Sequence, residues 1–304
     1  MKAPGDRRPG IWRNGVLQIK VCNYCDLDCR GCSVGVGLAK KLKRQFLMTP
    51  EQFRIACRSL KGYFGVVGMF GGNPCLHPKF EELCAIMREE IPNADQRGLW
   101  SNRLFGYGAV CRETFSASHS NLNVHGDREA WDEMRRDWPE SRPLVEGLKP
   151  SGHAPIATAL SDLVDDERER WDLIGRCYVN QTWSAEITIV NGELRAYFCE
   201  IAGTFAELYG DPSLGIPVEP GWWKQPMSYF ETQARHYCMQ CGIPLNGRKT
   251  FDNSDEPELY SAVHAPLMLT IKGRPMKQVA ARSEVEGIEP ATKYMKHGVM
   301  RAGS

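Results

Sequence analysis

Twelve cysteines among 304 residues are the side chains best able to do chemistry here, and two groups of them have ligand-like spacing. Near the start, the run CNYCDLDCRGCS places Cys25, Cys29 and Cys32 as Cys-x3-Cys-x2-Cys, with Cys22 just before them. Thiolates on so short a loop can converge on three corners of a [4Fe-4S] cube and leave one iron without a protein ligand. Structural zinc normally takes four ligands in two pairs, so the triplet suits a cube better; zinc, or unrelated buried thiols, is the alternative. The second group is Cys177, Cys199 and the Cys-x2-Cys pair Cys238 and Cys241. Four thiolates can fully ligate either zinc or a second cube, and spacing does not choose between them.

These cysteines need elements to hold them. Residues 16–21 read as a strand that delivers the first group. Residues 49–60 read as a helix with Thr49 as N-cap, Pro50 at the first helical position and Gln52 closing a capping box; its apolar stripe is Phe53, Ala56, Cys57 and Leu60. A second strand at 65–70 precedes a helix from Pro78 with the stripe Phe80, Leu83, Cys84 and Met87. Weaker copies follow: strands at 98–101 and 121–124, a helix at 128–137, an apolar segment at 154–160 and a helix at 162–173. Alternating strands and helices predict an α/β fold with a parallel sheet, doubly wound or rolled into a partial barrel. From about residue 176 the pattern becomes antiparallel, because Asn191-Gly192 between two apolar runs is a strong hairpin signal.

A second motif accompanies the first cysteines. The triplet after strand one, together with Gly71-Gly72-Asn73-Pro74 after strand two, resembles the radical S-adenosylmethionine (radical SAM) superfamily over residues 16 to about 175. The resemblance implies a TIM-like partial (β/α) barrel in which the open iron binds the amino and carboxylate groups of S-adenosylmethionine. The loop after strand two, usually Gly-Gly-Glu-Pro, would hydrogen-bond the methionine amine, and glycine suits such close approach. Asn73 stands where the family usually has Glu, and Gly31 where many members carry an aromatic against adenine. Ser101, Asn102 and His125 fall where family members contact ribose or the methionine carboxylate. A flavodoxin or ferredoxin would supply the electron, and the cleaved cofactor would take hydrogen from substrate.

The hairpin followed by a short helix, with cysteines at both ends, resembles the twitch domain, a shortened SPASM domain. The match is partial, since six residues separate Gly192 from Cys199 and no cysteine follows Cys241. It implies one auxiliary [4Fe-4S] cluster held by Cys177, Cys199, Cys238 and Cys241, suited to accepting an electron. The layout is similar to that of aminosugar dehydrogenases, so the expected organisation is a barrel at 1–175, an auxiliary-cluster unit at 176–260 and an extension at 261–304. The expected reaction is oxidation of a sugar, aminosugar or nucleoside. Cys75, next to the Gly-Gly-Asn-Pro loop, is the candidate for returning a hydrogen atom, which would instead make an epimerase.

A peptide-modifying enzyme fits less well, since only about fifteen residues precede the first strand; a non-catalytic zinc protein is the reading from another class. With 38 basic and 37 acidic side chains, no excess charge favours nucleic acid or a membrane surface. No run of eighteen apolar residues or signal-peptide core occurs, which points to the cytoplasm and to metal ligation over disulfides. Trp222 and Trp223 suit either a pocket wall or an anchor for their loop. His119, His125 and His236 are candidate bases; Glu200 and Arg235 fall near the second cysteine group, where a solvated surface role is the alternative. Cys57 and Cys84 read as core, whereas Cys22 and Cys111 carry no pattern.

Overall fold

The computed structural model describes residues 15–143, 147–148, 152–179, 185–245, 250–251 and 256–285. The first-half strands are β1 (Val16–Cys22), β2 (Val66–Gly71), β3 (Arg97–Ser101), β4 (Asn121–Leu122), β5 (Arg142–Pro143) and β6 (Gly152–His153). Later come β7 (Ala185–Val190), β8 (Glu193–Tyr197), β9 (Ile216–Pro217), β10 (Thr250–Phe251), β11 (Glu258–Tyr260) and β12 (Met276–Gln278). Eight of these form one sheet in the order β5-β4-β3-β2-β1-β7-β8-β9. From β5 through β7 every neighbouring pair is parallel, whereas β7 with β8 and β8 with β9 are antiparallel. The fold is therefore mixed α/β around a large parallel sheet. Asn191 and Gly192 both take positive φ, 51° and 86°, as a tight two-residue hairpin requires.

After β1 come α1 (Val36–Lys41) and α2 (Pro50–Ser59); α3 (Phe80–Glu90), α4 (Gly108–Thr114) and α5 (Arg128–Asp137) then follow β2, β3 and β4. The second half carries α6 (Leu160–Leu163), α7 (Glu167–Gly175), α8 (Glu200–Tyr209), α9 (Glu231–Gln240) and α10 (Ala265–Met268). The capping box at α2 forms as its sequence predicts: Thr49 Oγ1 accepts from the Gln52 N–H, and Gln52 Oε1 from the Thr49 N–H. No helix among the described residues is long and apolar enough to cross a membrane.

Two segments depart from a simple alternation of strand and helix. Residues 154–160 form no strand: Pro155 has no N–H, and the carbonyls of Ile156 and Ala157 accept from Gly242 and Ser261, bonding this segment to the last third of the chain. The helix expected at 162–173 is two helices, α6 and α7, the second restarted by Asp166, whose side chain accepts from the Glu169 N–H.

All of β1 after Val16 is buried, including Gln18 and Lys20, which share one face because they are two apart. That face meets acids from β7 and α8. The Lys20 ammonium lies 3.0 Å from Glu186 and 2.9 Å from Glu207, and Gln18 Nε2 donates to Glu200 at 2.8 Å. Burial alone would lower the Lys20 pKa, but Glu186 and Glu207 outweigh it and hold the ammonium charged. A one-residue slip of β1 would turn Lys20 to the opposite, apolar face, so these pairs help specify where the hairpin joins the sheet.

Candidate functional site

Because β1 to β4 are parallel, their C-terminal ends share one edge of the sheet, where the following loops converge on a cavity of about 270 Å³. Of the residues singled out from sequence, Cys25, Cys29 and Cys32 line it, as do Gly71, Gly72, Ser101, Asn102 and His125. Asn73, Pro74 and Cys75 do not appear on its wall.

The cysteine loop is built to hold sulfur. Burial pushes the Cys25 and Cys32 thiols up, while backbone N–H groups oppose this, from Leu27 at Cys25 and from Val34, Gly35 and Val36 at Cys32. Such N–H groups favour the anionic, metal-bound form of sulfur, and burial means that form needs a cation beside it. Asn102, just after β3, reaches back to this loop: its Nδ2 donates to Asp26 at 2.9 Å, and Cys25 Sγ lies 3.7 Å from its Oδ1. Gly31 has φ 64° and faces the Ala154 carbonyl at 3.0 Å from where a Cβ would stand, so no aromatic fits there.

The Gly-Gly-Asn-Pro loop locks onto that cysteine loop. The Gly72 N–H donates to the Cys22 carbonyl at 3.0 Å and the Asn73 N–H to the Tyr24 carbonyl at 2.6 Å. A Cβ on Gly71 would lie 2.4 Å from Cys22 O, and one on Gly72 2.2 Å from Tyr24 O. The two glycines thus let two backbone segments touch. Asn73 is fully buried and its side chain is occupied, accepting from Cys75 N and Ser101 Oγ and donating to the Arg103 carbonyl. Cys75 lies buried behind this loop as a free thiol, hydrogen-bonded with the free thiol of Cys111 and near Cys84. Cys22 donates to the Asn73 carbonyl at 3.4 Å, and its pKa is pushed up to about 11, first by burial.

Cys177, Cys199, Cys238 and Cys241 are brought together around a second, smaller cavity of about 20 Å³. Cys177 follows α7, Cys199 is the N-cap of α8, and Cys238 and Cys241 sit at the end of α9. Burial pushes Cys199 well up, and its three companions together with Glu200 add to this. Val179, Ile201 and Ile243 line both cavities and so form an apolar part of the wall between them. Glu200, next to Cys199, faces the larger cavity, and its pKa is raised to about 7 by burial, against the pull of Lys20 and Gln18.

Among the described residues, the group whose ligand atoms all lie within 4.8 Å of one another is Cys29, His125 and His153. A tetrahedral zinc with Zn–S near 2.3 Å holds its sulfurs about 3.8 Å apart. No three members of the second cysteine set have ligand atoms all within 4.8 Å of one another. The soft, all-thiolate donor set suits zinc and an iron-sulfur cluster alike.

Trp222 and Trp223 are anchors: their indole N–H groups donate to Ser59 Oγ and Ser59 O, both at 3.2 Å, and neither lines the larger cavity. His119, His236 and Arg235 also lie off its wall; Arg235 is exposed and pairs with Glu231. Three contributors carry no sequence signal. His153 sits beside His125, with ring centroids 5.6 Å apart, and Glu258 and Arg274 reach the cysteine loop from far along the chain.

No family model matches this sequence, and no curated protein matches it. Similar solved chains include BtrN in complex with AdoMet and 2-DOIA, at TM-score 0.48 and 15% identity, covering 75% of this chain and 93% of that one. Selenomethionine BtrN in an open conformation gives TM-score 0.41 and 12% identity over 76% of this chain and 87% of that one. At these scores the likeness is a partial one in the course of the chain.

Proposed function

We propose that this chain is a radical SAM oxidoreductase that takes hydrogen from a small polar metabolite of the sugar, aminosugar or nucleoside class. One observation carries the reading: a three-cysteine loop and a Gly-Gly loop, locked backbone to backbone, share one cavity at the C-terminal edge of a parallel sheet. We read the six parallel strands as the family's partial (β/α) barrel, and 176–260 as a twitch-like unit whose hairpin extends the same sheet.

Cys25, Cys29 and Cys32 would hold a [4Fe-4S] cluster, and Cys177, Cys199, Cys238 and Cys241 a second. When bound and reduced by a flavodoxin or ferredoxin, the first supplies the electron that splits the sulfonium of S-adenosylmethionine, yielding a carbon radical able to take hydrogen from a C–H bond. The chain's residues do the rest. Gly71, Gly72, Ser101, Asn102 and His125 line the wall where S-adenosylmethionine would lie. Glu200, Asn123 and His153 offer polar contacts to substrate, and Phe70 and Trp100 supply apolar surface. Val179, Ile201 and Ile243, which line both cavities, would keep water out between them, and a cluster held by the second thiolate set would be the acceptor for the electron of a substrate radical, which suits oxidation over epimerisation.

Anaerobic reconstitution tests this: two cubes require about eight irons per chain. Changing Cys25, Cys29 and Cys32 to Ala should halve the iron and end release of 5'-deoxyadenosine. Changing the other four to Ser should halve the iron while cofactor cleavage continues. A second reading rests on Cys29, His125 and His153, which together have the spacing of a mononuclear metal site with an open position. It predicts one zinc and no iron, with the zinc lost in His125→Ala and in His153→Ala, and that result would sink the cluster assignment.

A further inference from the structure

The last described segment returns to the cysteine loop. Parallel pairing of β11 with β12 brings Glu258 beside Arg274, and both side chains are almost fully buried, at 2% and 1% exposure. Arg274 Nη2 and Nε both donate to Glu258 Oε2, at 2.6 and 3.1 Å. The same guanidinium donates to the Cys29 carbonyl at 2.8 Å and reaches the Asp28 carboxylate. The other Glu258 oxygen accepts the Gly31 N–H at 2.9 Å, and Arg30 Nε donates to the Glu256 carbonyl, also at 2.9 Å. Every residue from Asp28 to Arg30, and Gly31 after them, is thus bonded to a segment more than 220 positions away.

This concentration of bonds is unusual for a loop, whose backbone would otherwise bond to water and sample many conformations. Removing Arg274 would leave the Glu258 carboxylate buried without its cation, so the pair is committed to this geometry. The planar fork of Arg274 spreads its donors over Nε, Nη1 and Nη2 to serve Glu258, Cys29 O and Asp28 together, whereas the three N–H groups of a lysine radiate from one nitrogen.

We propose that Glu258 and Arg274 are positioning residues that preorganise the cysteine loop, holding residues 28–31 in the ligand-presenting conformation before any metal arrives. The metal readout below rests on the cluster reading; the conformational one does not.

The experiment compares Arg274→Met, Arg274→Lys and Glu258→Gln with the unaltered protein. Amide hydrogen exchange is followed in metal-free protein, then iron is counted after anaerobic reconstitution and the reduced clusters are examined by electron paramagnetic resonance. Arg274→Met should speed exchange at Gly31 and its loop neighbours about tenfold or more, leaving β2 and α3 unchanged. Iron should fall from about eight to about four per chain, with the signal of the three-cysteine cluster lost and the other kept. Arg274→Lys should recover part of both. Unchanged loop exchange in all three variants would overturn the proposal, as would exchange that rises uniformly through the sheet. If the unaltered protein takes up no iron, the cluster reading fails while the exchange result still decides the clamp; iron uptake with unchanged exchange reverses that outcome.

Discussion

The joint between the two cavity loops can be tested with a single methyl group. In Gly72→Ala the new Cβ would stand 2.2 Å from Tyr24 O and 2.6 Å from Tyr24 C, and both are backbone atoms that cannot rotate away. Non-bonded heavy atoms settle near 3.5 Å, so the two loops must part by about 1 Å. The same carbonyl accepts the Asn73 N–H at 2.6 Å, and a 1 Å displacement takes that bond past useful length. Overpacking costs about 1–3 kcal/mol and the lost hydrogen bond about 1 more, for a total of about 2–4 kcal/mol. On the proposed function the larger effect would fall on chemistry, since a 1 Å misplacement of reacting groups can cost about 100-fold in rate. The assay is 5'-deoxyadenosine release by reconstituted protein, with circular dichroism to confirm folding. Gly15→Ala is the control, because its Cβ would meet nothing within 4 Å. Cleavage by folded, iron-loaded Gly72→Ala within threefold of the unaltered rate would refute the argument that backbone contact between these loops sets the site.

Two further predictions concern stability. Lys20→Met leaves Glu186 and Glu207 buried without their cation, which should cost about 3–5 kcal/mol and lower the melting temperature by roughly 10 °C; adding Glu207→Gln should recover part of the loss. His77 and His264 are both buried with pKa lowered by burial, so the unfolded chain takes up protons that the folded chain refuses. Each histidine should therefore make stability fall as pH drops below about 6.5, with a slope approaching about 1.4 kcal/mol per pH unit, while Glu200, raised to about 7, takes up a proton in the folded chain over the same range and offsets one of them. Melting temperatures of metal-free protein between pH 5 and 7 check this, and an identical slope in His264→Gln would exclude that residue as a source.

What could be read from sequence alone follows from how far apart the interacting groups lie. The capping box at Thr49 and Gln52 and the Asn191-Gly192 turn were legible because each is closed by groups no more than three positions apart. The Cys-x3-Cys-x2-Cys spacing of Cys25, Cys29 and Cys32 is likewise a local property of one short loop, and the structure places all three on the cavity wall. The apolar segment at 154–160 has no legible role, because the partners of its carbonyls, Gly242 and Ser261, lie more than eighty residues on. The glycines after β2 show a subtler limit. Sequence correctly marks positions where a Cβ is unwelcome, but it does not say what occupies the space, and here that is the backbone of the cysteine loop. Asn73 likewise reads as a ligand contact until its amide is found serving Cys75, Ser101 and Arg103. His153, Glu258 and Arg274 had no signal, because a single polar residue reaching across more than a hundred positions leaves no period and no motif. The residues that would touch metal are thus short-range features, whereas those that would aim them are long-range ones. A transplanted CNYCDLDCRGCS loop without Glu258 and Arg274 should therefore keep its thiols but lose their fixed arrangement.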